Sequence, residues 1–499
     1  MTAVGPGRAG AALEAMTDDG AGLGERLATL LEGATGPAAA GDKGDTDRLF
    51  AATIAAPALD PITLYAVAVE AGLEAALWLR PSESTAFVGI GRAWAVEPAG
   101  PSRFRDAETV WHSLIEAAAV DTITAADAPG GPTLLGAMGF SGRAPKEDDP
   151  WAPFGPSSLV LPELLFAIGG GRASVTASII GTDGGTRAAR TLERRWEQLA
   201  EHARATAPNP GGMVARPVFA PLTIANETPS HEHWRRLVGM FAGAVGRGRI
   251  DKVVLARRVG MRSPVELDVP NALRRLAVSA PESTTYAFRR AGRTFLGATP
   301  ERLVRTEGRT FNTAAVAGTI RRGADAAEDA TLAQALLASE KDLEEHAIVV
   351  DAIRTWLLPV AETLTVAPRP GVMTLRFVQH LVTEISGTLP EAHGLLALAE
   401  RLHPTPAVGG EPRDAALAMV DEHEGFDRGW YTGPVGWLGA DGDGELCVAL
   451  RCGIVERTSA TLFAGCGIVA DSDPDLEWEE SRIKLRAVIS ALGIPADER

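Results

Sequence analysis

Two short acidic segments hold the residue types from which a divalent-ion site could be built. In Ala464–Lys484, AGCGIVADSDPDLEWEESRIK, small residues leave a short apolar strand, Asp473-Pro474 predicts a helix start, and Glu477, Glu480 and Lys484 recur at helical spacing. One helix face would then carry two carboxylates and an ammonium. In SEKDLEEHA, Ser339 can cap a second helix on which Asp342 and Glu345 stand one turn apart. Two such helix starts could share Mg²⁺, a hard ion that keeps some waters and is usually completed by an anionic substrate. The helix dipole alone also favours acids in a first turn, so neither cluster by itself requires a metal. The spacing Gly465-x-Gly467-x-x-Ala470 resembles a dinucleotide fingerprint. However, the helix start that should hold pyrophosphate carries Asp471, Asp473, Asp475 and Glu477, which excludes that reading.

Lys252, at the head of KVVLARR, and Glu301, after GATP, are candidates for proton transfer. Strand alternation puts Lys252 on one face and Val253 on the other. Most lysines at strand edges are solvated, and a loop carboxylate such as Glu301 is ordinarily a surface group. To act as a base near neutrality an enclosed Lys252 would need its pKa to fall from about 10.4 by ~2–3, which desolvation can supply.

The elements that must position these groups follow from hydrophobic periodicity. Residues 1–46 are rich in Ala and Gly, with one weakly amphipathic stretch at Leu23–Leu31, and read as a loose leader. Residues 47–221 read as an N-terminal lobe, with strands near Phe87–Ile90, Leu134–Phe140 and Ala173–Ile180 and helices near Glu108–Ala119 and Ala188–Thr206. Its end, Pro208–Pro221, has the prolines and Gly-Gly pair of a connector. Residues 222–499 hold every candidate group. Helices are predicted over His231–Arg247, Pro270–Ala280, Ser339–Leu358 and Gly394–Leu402, and strands over Lys252–Ala256, Thr284–Arg289, Thr294–Ala298, Gly433–Leu438, Glu445–Ile454 and Ala460–Val469. Strand-rich halves flanked by helices point to an α+β fold with sheet on sheet.

Composition excludes other classes. The formal net charge of -16 argues against nucleic acid or an anionic membrane surface as partner. An anionic substrate would therefore need local cations or a metal. Cys447, Cys452 and Cys466 lack metal-ligand spacing and read as buried free thiols, which suits a reducing cytoplasm. No cationic start precedes an apolar run, and no stretch reaches the ~20 apolar residues of a membrane span.

In order and spacing, KVVLARR, FLGATPERL, AVAGTIRRG, SEKDLEEH, FVQHLVTEISG, LHPTPAVGGEPR, RGWYTGPVGW, LRCGIV and AGCGIVADSDPDLEWEESRIK resemble the chorismate-utilising enzymes, and among them the isochorismate synthases. The motifs run from about Asp251 to Lys484, and the first half matches only loosely. The resemblance implies a large structure with two stacked antiparallel sheets flanked by helices and a site between them. It also implies Lys252 as the base activating water, Glu301 as the acid for the departing hydroxyl, and Glu345 and Glu480 as Mg²⁺ ligands, with Asp342 and Glu477 beside them. Tyr431, Arg451 and Lys484 would grip chorismate, helped by Gly318, Thr319, Gly465 and Gly467. His380 and His403, in the QHL and HPTPAVGG motifs, are expected in the same pocket.

Within that family the resemblance separates branches. Anthranilate synthases carry Gln where Lys252 stands, so the lysine favours water over ammonia, and no amidotransferase subunit is expected. Ala317, before Gly318-Thr319, replaces the nucleophilic lysine of aminodeoxychorismate synthases. Salicylate synthases share Lys252 but tend to show PAVTASGxPK where this chain has His403–Gly410, HPTPAVGG. Ala315 opens a motif that relatives often open with Pro. Salicylate formation by pyruvate elimination and a catalytically silent chorismate-fold subunit remain the alternatives. The expectation is a monomeric isomerase serving a siderophore or menaquinone route.

Overall fold

The computed structural model describes residues 48–122, 129–181, 221–390 and 394–495, with isolated positions between 192 and 199. The expected leader lies outside the described residues, as do nearly all of the Pro208–Pro221 connector and most of the Ala188–Thr206 helix.

The described strands form two sheets, of 14 and 10 strands. Their pairs are antiparallel except where Arg48–Ala55 meets Ala119–Thr122 and Pro221–Thr228 meets Ile494–Pro495. The fold is α+β, as expected. Each sheet takes strands from both sides of the 182–220 segment. Ala75–Arg80 pairs with Thr284–Arg290 in the larger sheet, and Thr133–Met138 with Pro434–Gly439 in the smaller.

The sheets face each other across a buried aromatic layer that includes Trp78, Phe87, Trp151, Tyr286, Phe295, Trp430 and Phe463. Aromatic side chains of this size supply most of the apolar area such an interface needs. The outer face of the larger sheet is covered by the helices Pro61–Glu70, Val269–Ser279 and Pro474–Leu492, whose Leu64, Leu273, Leu276, Leu485 and Val488 join one core. The helices Arg103–Glu116, Glu340–Leu357 and Leu395–Leu402 cover the smaller sheet through Phe104, Trp111, Val349, Ile353 and Leu396. Among the described residues no helix is long and apolar enough to cross a membrane.

One strand expectation is corrected. Glu445–Ile454 is two strands: Gly444–Val448 belongs to the smaller sheet and Cys452–Glu456 to the larger. Arg451 takes φ 47° just where the chain crosses. The apolar run reads as continuous because both strands are buried almost throughout, so no polar alternation marks the corner. A matching crossing occurs at Pro300–Glu301, between Arg293–Thr299 in the larger sheet and Arg302–Glu307 in the smaller.

A buried ion pair also spans the sheets. Arg80 Nη2 lies 2.6 Å and Arg302 Nε 3.0 Å from Glu445 Oε1, with the Glu445 side chain only 1% exposed. Removing one member of such a pair leaves the other charge buried, at a cost of about 3–5 kcal/mol. Glu445→Ala is therefore expected to lose stability on that scale in urea unfolding with an unchanged m value. A loss below ~1 kcal/mol would mean that Glu83, 3.2 Å from both Arg80 and Arg302, is enough to compensate these guanidinium groups.

Candidate active site

The two crossings meet. Val448 N donates to Glu301 O at 2.9 Å, and Ala298 N donates to Arg451 O at 3.2 Å. Glu301 and Arg451 are thereby brought to the same cavity, about 150 Å³, from opposite corners. Lys252, Gly318, Thr319, Asp342, Glu345, His380, Tyr431, Gly465, Gly467, Glu477, Glu480 and Lys484 line it as well, so every candidate group of the sequence except His403 converges there.

The floor is made by the strands Lys252–Arg262 and Ser459–Ile468, paired with Val254 opposite Gly467 and Ala256 opposite Gly465. Lys252 and Val254 face the cavity, while Val253 and Leu255 pack under the neighbouring helices. The glycines leave space for two working side chains. A Cβ at Gly467 would lie 2.7 Å from Lys252 Cε and 3.1 Å from Glu345 Oε1, and one at Gly465 would lie 3.0 Å from Tyr431 Oη. A wall comes from the strands Thr310–Arg321 and Val378–Thr388, whose register shifts between Ala317 and Thr319. Gly318 occupies that bulge with φ 76°, a conformation glycine adopts without strain.

Two helix starts complete the enclosure. Ser339 accepts from Asp342 N to cap Glu340–Leu357, and Asp473 accepts from Asp475 N and Leu476 N to cap Pro474–Leu492. Their carboxylates pair with the cavity's lysines. Lys252 Nζ is 2.6 Å from Glu345 Oε1, Lys484 Nζ is 2.6 Å from Glu480 Oε1, and Lys484 also donates to Gly465 O at 2.9 Å.

Burial sets the protonation pattern. It lifts Glu301 to about 7 against the opposing pull of Arg451, Lys252 and Lys484, so a substantial fraction is a neutral acid at pH 7. Burial works against the Glu480 charge, but Lys484, together with Arg451 and Lys252, more than offsets it and the carboxyl sits below its usual range. Burial likewise opposes the Lys484 charge, and Glu480 overcomes it and holds the ammonium above its ordinary value. Glu477 is raised by burial and by the neighbouring Glu480. His380 falls to about 3 through burial and the nearby Arg451 and Lys484, and is neutral. Its Nδ1 lies 2.9 Å from Thr319 Oγ1 and 3.3 Å from Gly318 O; the carbonyl can only accept, so Nδ1 carries the proton. The free lone pair of Nε2 then faces Arg451 Nη2 at 3.5 Å.

Asp342, Glu345, Glu477 and Glu480 present hard oxygens from two helices to one cavity, a donor set suited to a hard divalent cation. Cys466 Sγ also lies within 4.8 Å of ligand atoms of Glu477 and Glu480. It belongs to the opposite face of its strand, packed with Trp234 and Phe241, and its S–H donates to Glu477 O at 3.1 Å.

His403 corrects an expectation. It lines a second cavity with Phe104 and Phe140, and its Nε2 lies 3.2 Å from Phe140 O. The HPTPAVGG segment, a bend followed by a turn closed by Val408 N and Gly409 N on Thr405 O, sends Ala407 and Val408 to the first cavity, and His403 and Pro404 to the other. Lys341 is the main addition: it is exposed, lines the catalytic cavity and bears electrostatically on Glu477. Its position beside Asp342 in SEKDLEEH was the available signal.

Residues 36–493 match the family model described as "Chorismate binding enzyme". The chain is 37% identical over 450 residues to the salicylate biosynthesis isochorismate synthase of Pseudomonas aeruginosa, covering 90% of this chain and 91% of that protein. It is 30% identical over 427 residues to a Bacillus subtilis isochorismate synthase, covering 83% of this chain and 87% of that one. The structure of the menaquinone-specific isochorismate synthase of Escherichia coli superposes with a TM-score of 0.73 at 25% identity, covering 93% of this chain and 98% of that one. Anthranilate synthase component I from Streptococcus pneumoniae shares the fold, with a TM-score of 0.64 at 21% identity over 81% of this chain and 92% of that one. With a family model spanning nearly its whole length and the family's expected groups gathered in one cavity, this chain belongs to the chorismate-binding enzymes.

Proposed function

We propose that the protein is an isochorismate synthase, a hydroxymutase that reversibly adds water at C2 of chorismate as the C4 hydroxyl leaves. The observation that carries this reading is a buried lysine and a buried carboxylic acid, Lys252 and Glu301, lining one cavity with separate groups for both substrate charges. Lys252 removes the proton of the attacking water. Glu301 delivers its proton to the departing hydroxyl, and the reverse reaction exchanges the two roles. Arg451 and Tyr431 hold one carboxylate, and Lys484 joins them from the floor. His380, protonated on Nδ1, orients Arg451 through its Nε2 lone pair.

Glu345 and Glu480 would hold Mg²⁺, with Asp342 and Glu477 ordering its waters. When bound, the ion neutralises and orients the other substrate carboxylate. Lys252 Nζ, 2.6 Å from Glu345 Oε1, lies beside one of the carboxylates that would hold the ion, so the base and the metal position are held next to each other.

Further parts of the reading rest on the family resemblance. A lysine at 252, where anthranilate synthases carry Gln, favours water over ammonia, so no amidotransferase is needed; as with many relatives that use water, the protein is taken to act as a monomer. Three buried free thiols suit a cytoplasmic setting.

Purified protein given chorismate and Mg²⁺ is expected to yield isochorismate in reversible balance, lost on chelation and unchanged by ammonium, when products are separated chromatographically. Fluorescent salicylate with pyruvate would instead make it a salicylate synthase, and no turnover would leave a silent binding subunit. Lys252→Ala is expected to lower turnover by about 10²–10⁴-fold with chorismate binding retained; surviving activity would remove Lys252 from the base role. Gly467→Ala, which must displace Lys252, is expected to lower kcat by about 100-fold, the scale of a ~1 Å misplacement.

Glu301 also makes stability depend on pH. Its folded pKa, about 7, exceeds the unfolded value near 4.5, so the folded state binds more protons between them and stability falls as pH rises through that window. The full effect is about 3 kcal/mol. Glu301→Gln, which cannot ionise, is expected to be inactive yet to gain stability relative to wild type from pH 4.5 to pH 8. A difference that stays constant across that range would show Glu301 to be as ionised as in the unfolded chain.

A further inference from the structure

One fully buried ion pair close to the cavity has no part in the chemistry above. Glu424 and Arg428 are each 2% exposed, joined by Nε to Oε1 and Nη2 to Oε2 contacts of 2.6 Å. Burial alone would weaken the Arg428 charge, and Glu424 more than restores it.

The remaining bonds of the pair all reach segments that line the cavity. Arg428 Nη1 donates to Val408 O and Nη2 to Val254 O, each at 2.8 Å, and Glu424 Oε2 accepts from Ala256 N at 3.0 Å. Tyr431 N donates to Arg428 O at 2.9 Å. These contacts fill a gap in the sheet. Along one edge, the Lys252 strand pairs with Gly410–Glu411 through Lys252 and Val253, and pairing with Pro221–Thr228 begins only at Arg258. Among the described residues Val254 O and Ala256 N have no strand partner between these points on that edge, and a buried backbone group left unpaired is costly. The guanidinium and carboxylate supply both bonds.

We propose that Glu424 and Arg428 are positioning residues of the catalytic cavity, holding in one register the strand of the base, the Val408 wall and the turn that presents Tyr431. The proposal builds on the reading of Lys252 as the base. The pair also lines the second cavity, of about 860 Å³, which gives small solutes a route to the place of a deleted guanidinium.

Arg428→Ala is expected to lower kcat for chorismate by about 10–100-fold, the scale of small misplacements, with a smaller rise in KM. Added guanidinium should restore several-fold of that loss, while equimolar methylammonium should not. Arg428→Lys should remain impaired, because an ammonium has three donors on one atom and cannot reproduce the four bonds that the planar guanidinium spreads over three nitrogens. Amide exchange at Ala256 should accelerate in both variants and in Glu424→Gln. A folded Arg428→Ala protein with kcat within about twofold of wild type would overturn the proposal, as would a kcat loss that guanidinium does not relieve and that leaves Ala256 exchange unchanged. If Arg428→Ala fails to fold, Arg428→Lys and Glu424→Gln decide: wild-type kcat in both overturns the proposal. Wild-type protein that leaves chorismate unchanged, with Ala256 exchange still dependent on the pair, would overturn the functional reading and leave the positioning role standing.

Discussion

The catalytic cavity depends on a single constraint: charges taken out of water must be matched by charges of the opposite sign. Lys252 with Glu345, and Lys484 with Glu480, satisfy it at 2.6 Å each. A buried pair seldom adds net stability compared with apolar packing, so such pairs are costly unless they serve a purpose. In the proposed reading the purpose is chemical: Glu345 and Glu480 are the carboxylates that would hold a divalent ion, and Lys252 and Lys484 the amino groups that would meet water and substrate. Glu301 and Glu477 meet the same constraint differently: burial raises both carboxyls to about 7, so each holds its proton for part of the time near neutrality.

The fold is arranged to supply these groups from rigid elements. Glu301 and Arg451 sit where the chain passes between sheets, the points at which a side chain can enter the space between them without breaking a strand ladder. The strand of Lys252 and the glycine strand beside it place a long side chain against positions with no side chain at all. Two capped helix starts bring in the acids. Function is thus spread over strand edges, corners and helix ends, while the aromatic layer holds the sheets at fixed separation.

Much of this was legible in the chain. Ser339 and Asp473 marked the helix starts by their capping chemistry, and period-2 alternation put Lys252 and Val253 on opposite faces of their strand. The motif order joined groups that are far apart in sequence. Features set by long-range packing were not legible. The run from Glu445 to Ile454 reads as one strand because burial on both faces removes the alternation that would betray a corner. His403 lies in a motif whose other members, Ala407 and Val408, do reach the cavity, and only the path of the backbone separates them. Glu424 and Arg428 look in sequence like an ordinary pair four residues apart after a helix.

That last pair shows why local pattern runs out where positioning begins. A residue that touches substrate must be of a particular chemical type, and type can be read from sequence. A residue that fills a gap in a ladder is defined by which backbone atoms lack partners, and those are known only once the strands are paired. Val254 O and Ala256 N become unpaired through the lengths of two other segments, Gly410–Glu411 and Pro221–Thr228, that stop short of each other along the same strand. An arginine is the side chain able to answer such a gap, because its planar fork can donate to two carbonyls and a carboxylate at once. The partition beside the catalytic cavity is therefore ionic for a backbone reason, and the strand carrying the proposed base keeps its register through a side chain that never meets the substrate.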